Sequence, residues 1–114
     1  MRKGTMMVAL VALLVAIFAA AAYAATIQGD NRNDDLTESP RHDWMYGYDG
    51  RDVLRAYQFD GDRDKLYGGN NNDWLYANDG DGKDLVDGGK GRDDYCEGDD
   101  GDRFRACDGN VTRN

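Results

Sequence analysis

Eight aspartates recur along this chain at near-constant intervals, and two residues after each stands a large apolar residue. The aspartates are Asp34, Asp43, Asp52, Asp64, Asp73, Asp84, Asp93 and Asp102, with spacings of 9, 9, 12, 9, 11, 9 and 9. Their apolar partners are Leu36, Met45, Leu54, Leu66, Leu75, Val86, Tyr95 and Phe104. A short fixed period marks a stack of small units, none of which can bury its apolar side chain alone. Positions seven to nine of each unit read as a short strand whose middle residue faces a core, because side chains alternate across a strand.

The first six residues of each unit read as a turn. Gly68-Gly69-Asn70-Asn71-Asn72-Asp73-Trp74-Leu75-Tyr76 and Gly88-Gly89-Lys90-Gly91-Arg92-Asp93-Asp94-Tyr95-Cys96 both follow the pattern G-G-x-G-x-D-x-U-x, where U is large and apolar. Asn71 stands for the third glycine in the first of them. Asp79 to Asp87 lies between the two, with Gly80, Gly82 and Asp84. Glu97 to Arg105 follows, and its loop Gly98 to Asp102 is one residue short, which leaves the register open by one there. Running backwards, Phe59–Tyr67, Gly47–Arg55, Glu38–Tyr46 and Gly29–Thr37 are increasingly degenerate. Glycines in such a loop permit positive φ and close backbone approach. Carbonyl oxygens then point inward, and the sixth-position aspartate adds a carboxylate. Calcium, a hard cation, takes six to eight oxygens of this kind.

Composition bears on one alternative, disorder of an acidic, glycine-rich chain. All 20 aspartates lie beyond residue 24, against only two glutamates, Glu38 and Glu97. A merely solvated acidic segment has no cause to avoid glutamate, whereas the short aspartate carboxylate suits tight turns and calcium ligation. Residues 25–114 carry 22 acidic and 12 basic side chains, a net charge of −10. Nucleic acid is therefore not an expected partner, since phosphate contacts need a basic surface.

Residues 1–24 read as an export signal: a basic start at Met1-Arg2-Lys3, an apolar run from Met6 to Ala22, and Ala22-Tyr23-Ala24 as the cleavage site. An uncleaved membrane anchor is the alternative, the run being nearly long enough to span a bilayer. The remainder is expected outside the cytoplasm, secreted, with no stable membrane span after cleavage. In that compartment Cys96 and Cys107 are expected to form a disulfide, two unpaired thiols being the alternative.

With these residues in view, the chain resembles the RTX, or haemolysin-type, calcium-binding repeat family. The resemblance covers Gly29 to Arg105 and is strongest from Gly68 onward. It implies an all-β, right-handed parallel β-roll in which two repeats make one coil and each of several calcium ions sits between two stacked loops. The ligands it implies are Asp52, Gly68, Gly69, Asn70, Asp73, Gly80, Gly82, Asp84, Gly88, Gly89, Gly91, Asp93 and Asp102, joined by Asp34, Asp43 and Asp64 from the more degenerate repeats. Residues 25–28 are then a short linker, 29–105 eight repeats of which the first two are degenerate, and 106–114 a C-terminal tail. Odd repeats place Asp34, Asp52, Asp73 and Asp93 on one edge. Even repeats place Asp43, Asp64, Asp84 and Asp102 on the other. The interruptions Ala56-Tyr57-Gln58 and Ala77-Asn78 both fall on the even edge. The odd edge is therefore expected to bind calcium best, with Asp84 and Asp102 the best pair of the even one.

The expected function is calcium binding by an exported module that folds on the ion, in a structural, adhesive or ion-buffering role. The alternative is a recognition surface for polysaccharide or protein made by Trp44, Tyr46, Tyr67, Trp74 and Tyr76, which fall at outward positions. Cross-strand stacking is the simpler reading of those rings. No enzyme is expected. His42 is a lone loop histidine, and neither HExxH nor G-x-S-x-G occurs. Asp60 to Asp64 and Asp79 to Asp81 resemble the opening of an EF-hand loop, but neither continues with its glycine and glutamate.

Overall fold

Each apolar triplet becomes a strand. A computed structural model describes residues 25–57, 61–108 and 110–113; the segment read as an export signal lies outside the described residues. The strands are β1 (Ala25–Gln28), β2 (Asp35–Thr37), β3 (Asp43–Tyr46), β4 (Val53–Arg55), β5 (Lys65–Tyr67), β6 (Trp74–Ala77), β7 (Leu85–Asp87), β8 (Tyr95–Gly98), β9 (Arg103–Arg105) and β10 (Asn110–Arg113). They form two five-stranded sheets, ordered β1-β3-β5-β7-β9 and β10-β8-β6-β4-β2. Every pairing is parallel and joins strands two apart in sequence. The chain thus changes sheet at every loop, and two strands with two loops make one coil. This is the all-β parallel solenoid that the repeat requires, with no helix among the described residues.

From β1 to β9 the space between the sheets is filled chiefly by one side chain per strand, joined by the smaller Ala56, Ala77 and Cys107. In one sheet Ile27, Met45, Leu66, Val86 and Phe104 lie in register. In the other Leu36, Leu54, Leu75 and Cys96 do the same. Met45, Leu54, Leu66, Leu75, Val86 and Cys96 are fully buried, while Ile27, Leu36 and Phe104 at the ends are partly covered. The core is one residue wide, so each coil depends on its neighbours for burial.

The register departs from expectation at the seventh repeat. Tyr95 was expected to face inward; Cys96 does so instead, and Tyr95 lies on the outer face. The side-chain period is two, so only one of these neighbours can enter the core. With Cys96 inside, its sulfur reaches buried Cys107 and the two form a disulfide with a Cα–Cα distance of 5.8 Å. With Tyr95 outside, its hydroxyl stays near Glu97. The structure also adds strands at both ends. Ala25–Gln28, expected as a linker, pairs with β3, and Asn110–Arg113, expected as tail, pairs with β8.

The outward aromatic rings lean on one another. Tyr46 and Tyr67 stack with centroids 5.1 Å apart, and Tyr76 sits 5.9 Å from both Tyr57 and Tyr95 in tilted pairs. Lys65 Nζ lies 4.8 Å over the Trp44 ring. These are the cross-strand contacts that stabilise a thin sheet.

Candidate metal-binding edges

The loops stack along two edges, and an aspartate at the end of each loop ties it to the next coil. On the odd edge the N–H of Asp34 donates to Oδ1 of Asp52, that of Asp52 to Asp73, and that of Asp73 to Asp94, each at 2.8 Å. On the even edge the N–H of Asp43 donates to Asp64 and that of Asp64 to Asp84 at 2.8 Å, and that of Asp84 to Asp102 at 3.0 Å. Each carboxylate thus spends one oxygen on a backbone donor 18 to 21 residues away.

The second oxygen behaves differently in the end loops and the inner ones. Oδ2 of Asp34 accepts from the Asp30 N–H, and Oδ2 of Asp43 from the Ser39 N–H, both at 2.7 Å. Oδ2 of Asp52, Asp73, Asp84 and Asp94 is buried and accepts no hydrogen bond. Buried polar atoms are nearly always satisfied, so a row of bare carboxylate oxygens points to an absent proton or cation. Burial raises the pKa of Asp52 from 3.8 to about 6, and that of Asp73 to about 7. Burial also raises Asp94 and Asp102, with neighbouring carboxylates adding to it. Charging this interior is unfavourable unless a cation enters.

The loops on the odd edge approach as closely as glycine allows. A Cβ on Gly69, whose φ is +94°, would lie 2.2 Å from the Tyr48 carbonyl oxygen, and one on Gly91 the same distance from that of Asn71. Asn71 itself takes φ of +73° in place of the third glycine of its repeat. Backbone bonds from Asn70 N–H to the Tyr48 carbonyl and from Lys90 N–H to that of Gly69, both 2.8 Å, hold successive loops together.

Of the expected ligands, the odd edge brings together Asp52, Asp73 and the loops holding Gly68, Gly69, Asn70, Gly88, Gly89 and Gly91. Asp93 is not among the inward residues. It is exposed, and its N–H donates to the Asn72 side chain at 3.2 Å. Asp94 takes the ladder position, one residue later, because Cys96 rather than Tyr95 enters the core. Asp108, unassigned by the sequence, extends the ladder by accepting from Asp94 N–H at 3.3 Å.

The acidic clusters fall on the even edge, which the interruptions were expected to weaken. Carboxylate oxygens of Glu38, Asp43 and Asp64 lie within 4.8 Å of one another, as do those of Asp64, Asp79 and Asp84, and those of Asp81, Asp84 and Asp102. Any of these groups could hold a metal ion. Glu38, Asp79 and Asp81 were not expected as ligands. Glu38 and Asp79 open repeats at the position that Gly29, Gly47, Gly68 and Gly88 occupy on the odd edge. An acidic residue at a glycine position is the signal that would have found them. Exposed His42 faces Asp62 at 3.5 Å, and its Nδ1 accepts from the Arg63 N–H at 2.8 Å, so it serves a loop-to-loop contact.

Fold and site together define a parallel β-solenoid with a ladder of carboxylates along each edge and, on the even edge, acidic groups that could hold a metal ion. No protein-family model, curated protein or solved structure matches the chain.

Proposed function

We propose that this chain is an exported calcium-binding β-roll of the RTX type, not an enzyme, that folds as calcium enters between its stacked loops. The observation that carries this reading is the row of inner aspartates, each with Oδ1 bonded to the neighbouring coil and Oδ2 buried without a donor. Oxygen-only surroundings favour a hard cation. The irregular loops suit calcium, which tolerates six to eight ligands, better than magnesium, which demands a regular octahedron. The disulfide accords with an oxidising compartment outside the cytoplasm. Folding and binding should be coupled, because the ion's affinity is added to the folded state alone. Its role is then structural, adhesive or ion-buffering. Calorimetric titration with calcium and with magnesium, alongside circular dichroism in chelator, tests the reading. Saturable calcium binding with a gain of β-structure is expected. Absence of calcium binding, or the same β-rich spectrum with and without chelator, would contradict it.

A further inference from the structure

Four of the 12 basic side chains beyond residue 24 meet on one surface. Arg63 and Lys83 stand immediately before the ladder aspartates Asp64 and Asp84 and are exposed. Lys65 and Arg103 belong to the outer row of the adjoining sheet, where Trp44 pairs with Lys65, Lys65 with Leu85 and Leu85 with Arg103. Arg63, Lys83 and Arg103, with Gly82 and Gly101, line a groove of about 310 Å³. A second groove, of about 260 Å³, shares those three cations and adds Lys65 and Leu85. We propose that this surface binds an acidic polysaccharide, whose sulfate or carboxylate groups are held by Arg63, Lys83 and Arg103. The groove belongs to the folded coils whatever ion the ladder holds. Only the choice of a partner outside the cell rests on the exported character proposed above.

The cations are unspent. Ion pairs among the described residues join His42 to Asp62, Arg55 to Asp35 and Arg105 to Asp87, and none uses Arg63, Lys65, Lys83 or Arg103. Lys83 Nζ reaches only the Gly61 carbonyl, at 3.4 Å, and Lys65 Nζ sits over the Trp44 ring. Carboxylates are close by, yet Asp64 and Asp84 are each 1 % exposed and turn inward. Their Oδ1 atoms accept the N–H groups of Asp43 and Asp64 from the preceding coils. The fold thus buries the acids of this edge and leaves its cations facing solvent.

Stacking also sets the cations in line. Neighbouring strands lie about 4.8 Å apart, so Lys65 and Arg103, two strands apart, are separated by about 10 Å along the solenoid. A row of this kind matches a linear polymer better than a single small anion. Arginine grips an oxyanion with two parallel N–H bonds. Trp44, 46 % exposed, ends the row with a ring against which a sugar can lie.

Charge density selects the kind of polymer. Duplex DNA carries one charge about every 1.7 Å, far more than this row can answer. The rest of residues 25–114, with a net charge of −10, would repel it. A polysaccharide with at most one charge per sugar brings few charges to each coil, and a narrow groove admits it where a flat anionic membrane would also meet the acidic loops.

The test is calorimetric titration of the folded full chain, in saturating calcium, with heparin, polygalacturonate, uncharged dextran, phosphatidylglycerol vesicles and duplex DNA. Saturable binding of heparin or polygalacturonate, weakened by salt and absent with dextran, is expected; which of the two binds more tightly distinguishes sulfate from carboxylate. The variant Arg63→Gln/Lys83→Gln/Arg103→Gln should lose about tenfold or more in affinity, the scale of a single hydrogen bond to a charged group. The control Arg32→Gln/Lys90→Gln/Arg92→Gln removes the same charge from the odd edge and should change affinity by less than about twofold, because distant exposed charges are screened. Circular dichroism checks folding. The single exposed change Lys83→Glu should also cost about tenfold, and it decides the matter if the triple variant does not fold. The proposal is overturned if the folded chain binds neither acidic polysaccharide, if both triple variants lose affinity equally, if Lys83→Glu changes nothing, or if vesicles or DNA bind as tightly. Failure of the calcium reading looks different: the chain would take up no calcium, while polysaccharide binding by the folded protein would stand.

Discussion

The backbone N–H of Asp73 donates to Oδ1 of Asp94 at 2.8 Å. That bond follows from the register of the last coils, in which Cys96 faces the core. The same register makes Asp94 the inward carboxylate of its loop and leaves Asp93 on the surface. Asp94→Ala should therefore strand a buried backbone donor, at about 1–3 kcal/mol, and weaken calcium binding on this edge. Asp93→Ala should change unfolding by less than about 0.5 kcal/mol, as surface substitutions do. Denaturant unfolding in calcium compares the two, and equal losses would mean that the register is the other one.

Acid should substitute in part for calcium. Burial raises Asp52 to about 6 and Asp73 to about 7, from an ordinary value of 3.8. The folded carboxyls keep their protons above the pH at which the unfolded ones ionise. Their contribution to the calcium-free fold is thus complete below pH 3.8 and is lost as pH rises through 6 to 7. In chelator, β-structure should increase as pH falls from 8 to 5. In calcium the trend reverses, because protons compete for the same oxygens, and affinity should fall over that range. Circular dichroism and calorimetry across the range read both slopes.

Gly69→Ala should be far worse than Gly61→Ala. Both glycines have positive φ, +94° and +72°. A Cβ on Gly69 would lie 2.2 Å from the Tyr48 carbonyl oxygen, while one on Gly61 meets nothing within 4 Å. The Gly61 variant bears backbone strain alone, about 1–2 kcal/mol. The Gly69 variant must also push neighbouring stacked loops apart, and should lose odd-edge calcium as well as stability. Thermal melts with and without calcium separate the two effects.

The narrow core makes the central coils the sensitive ones. Leu75 is fully buried, and Leu36 only partly so. Leu75→Ala should destabilise by about 2–5 kcal/mol, enough to unfold a small domain in limiting calcium. Leu36→Ala should cost less than half of that, measured by urea unfolding at saturating calcium.

Reduction should loosen the C-terminal end. The Cys96–Cys107 bridge spans 11 residues and joins the buried position of β8 to the loop beyond β9. Its loss should lower stability by about 2–4 kcal/mol. Hydrogen exchange should show that loss first in β8, β9 and β10. Uniform acceleration across all coils would argue that the bridge acts globally.

Much of the molecule was legible as pattern. The triplets around Leu36, Met45, Leu54, Leu66, Leu75, Val86 and Phe104 became strands with that residue inward, because period-two alternation about one large apolar residue has few other uses. Asp52, Asp64, Asp73, Asp84 and Asp102 fell where the repeat put them. Tyr95 and Asp93 did not. Within Asp93-Asp94-Tyr95-Cys96 the nonapeptide pattern puts Asp93 and Tyr95 inward, whereas the bridge from Cys96 to Cys107, a partner beyond the repeat, goes with a register one residue later.

The sequence by itself determined the repeat, the core residue of most strands, the glycine loops and the ladder aspartates Asp52, Asp64, Asp73, Asp84 and Asp102, all set by residues within one repeat. The tertiary structure alone decided which carboxylates meet. Asp79 and Asp81 stand at the first and third positions of their repeat and were not expected as ligands, yet stacking carries them, with Asp84 of the same loop, to Asp64 and Asp102 in the coils on either side. The physical reason is the parallel stack itself. It sets residues 18 to 21 apart within hydrogen-bonding distance, so an insertion shifts every side chain relative to the coil above. That relation exists only between coils, and no single repeat contains it.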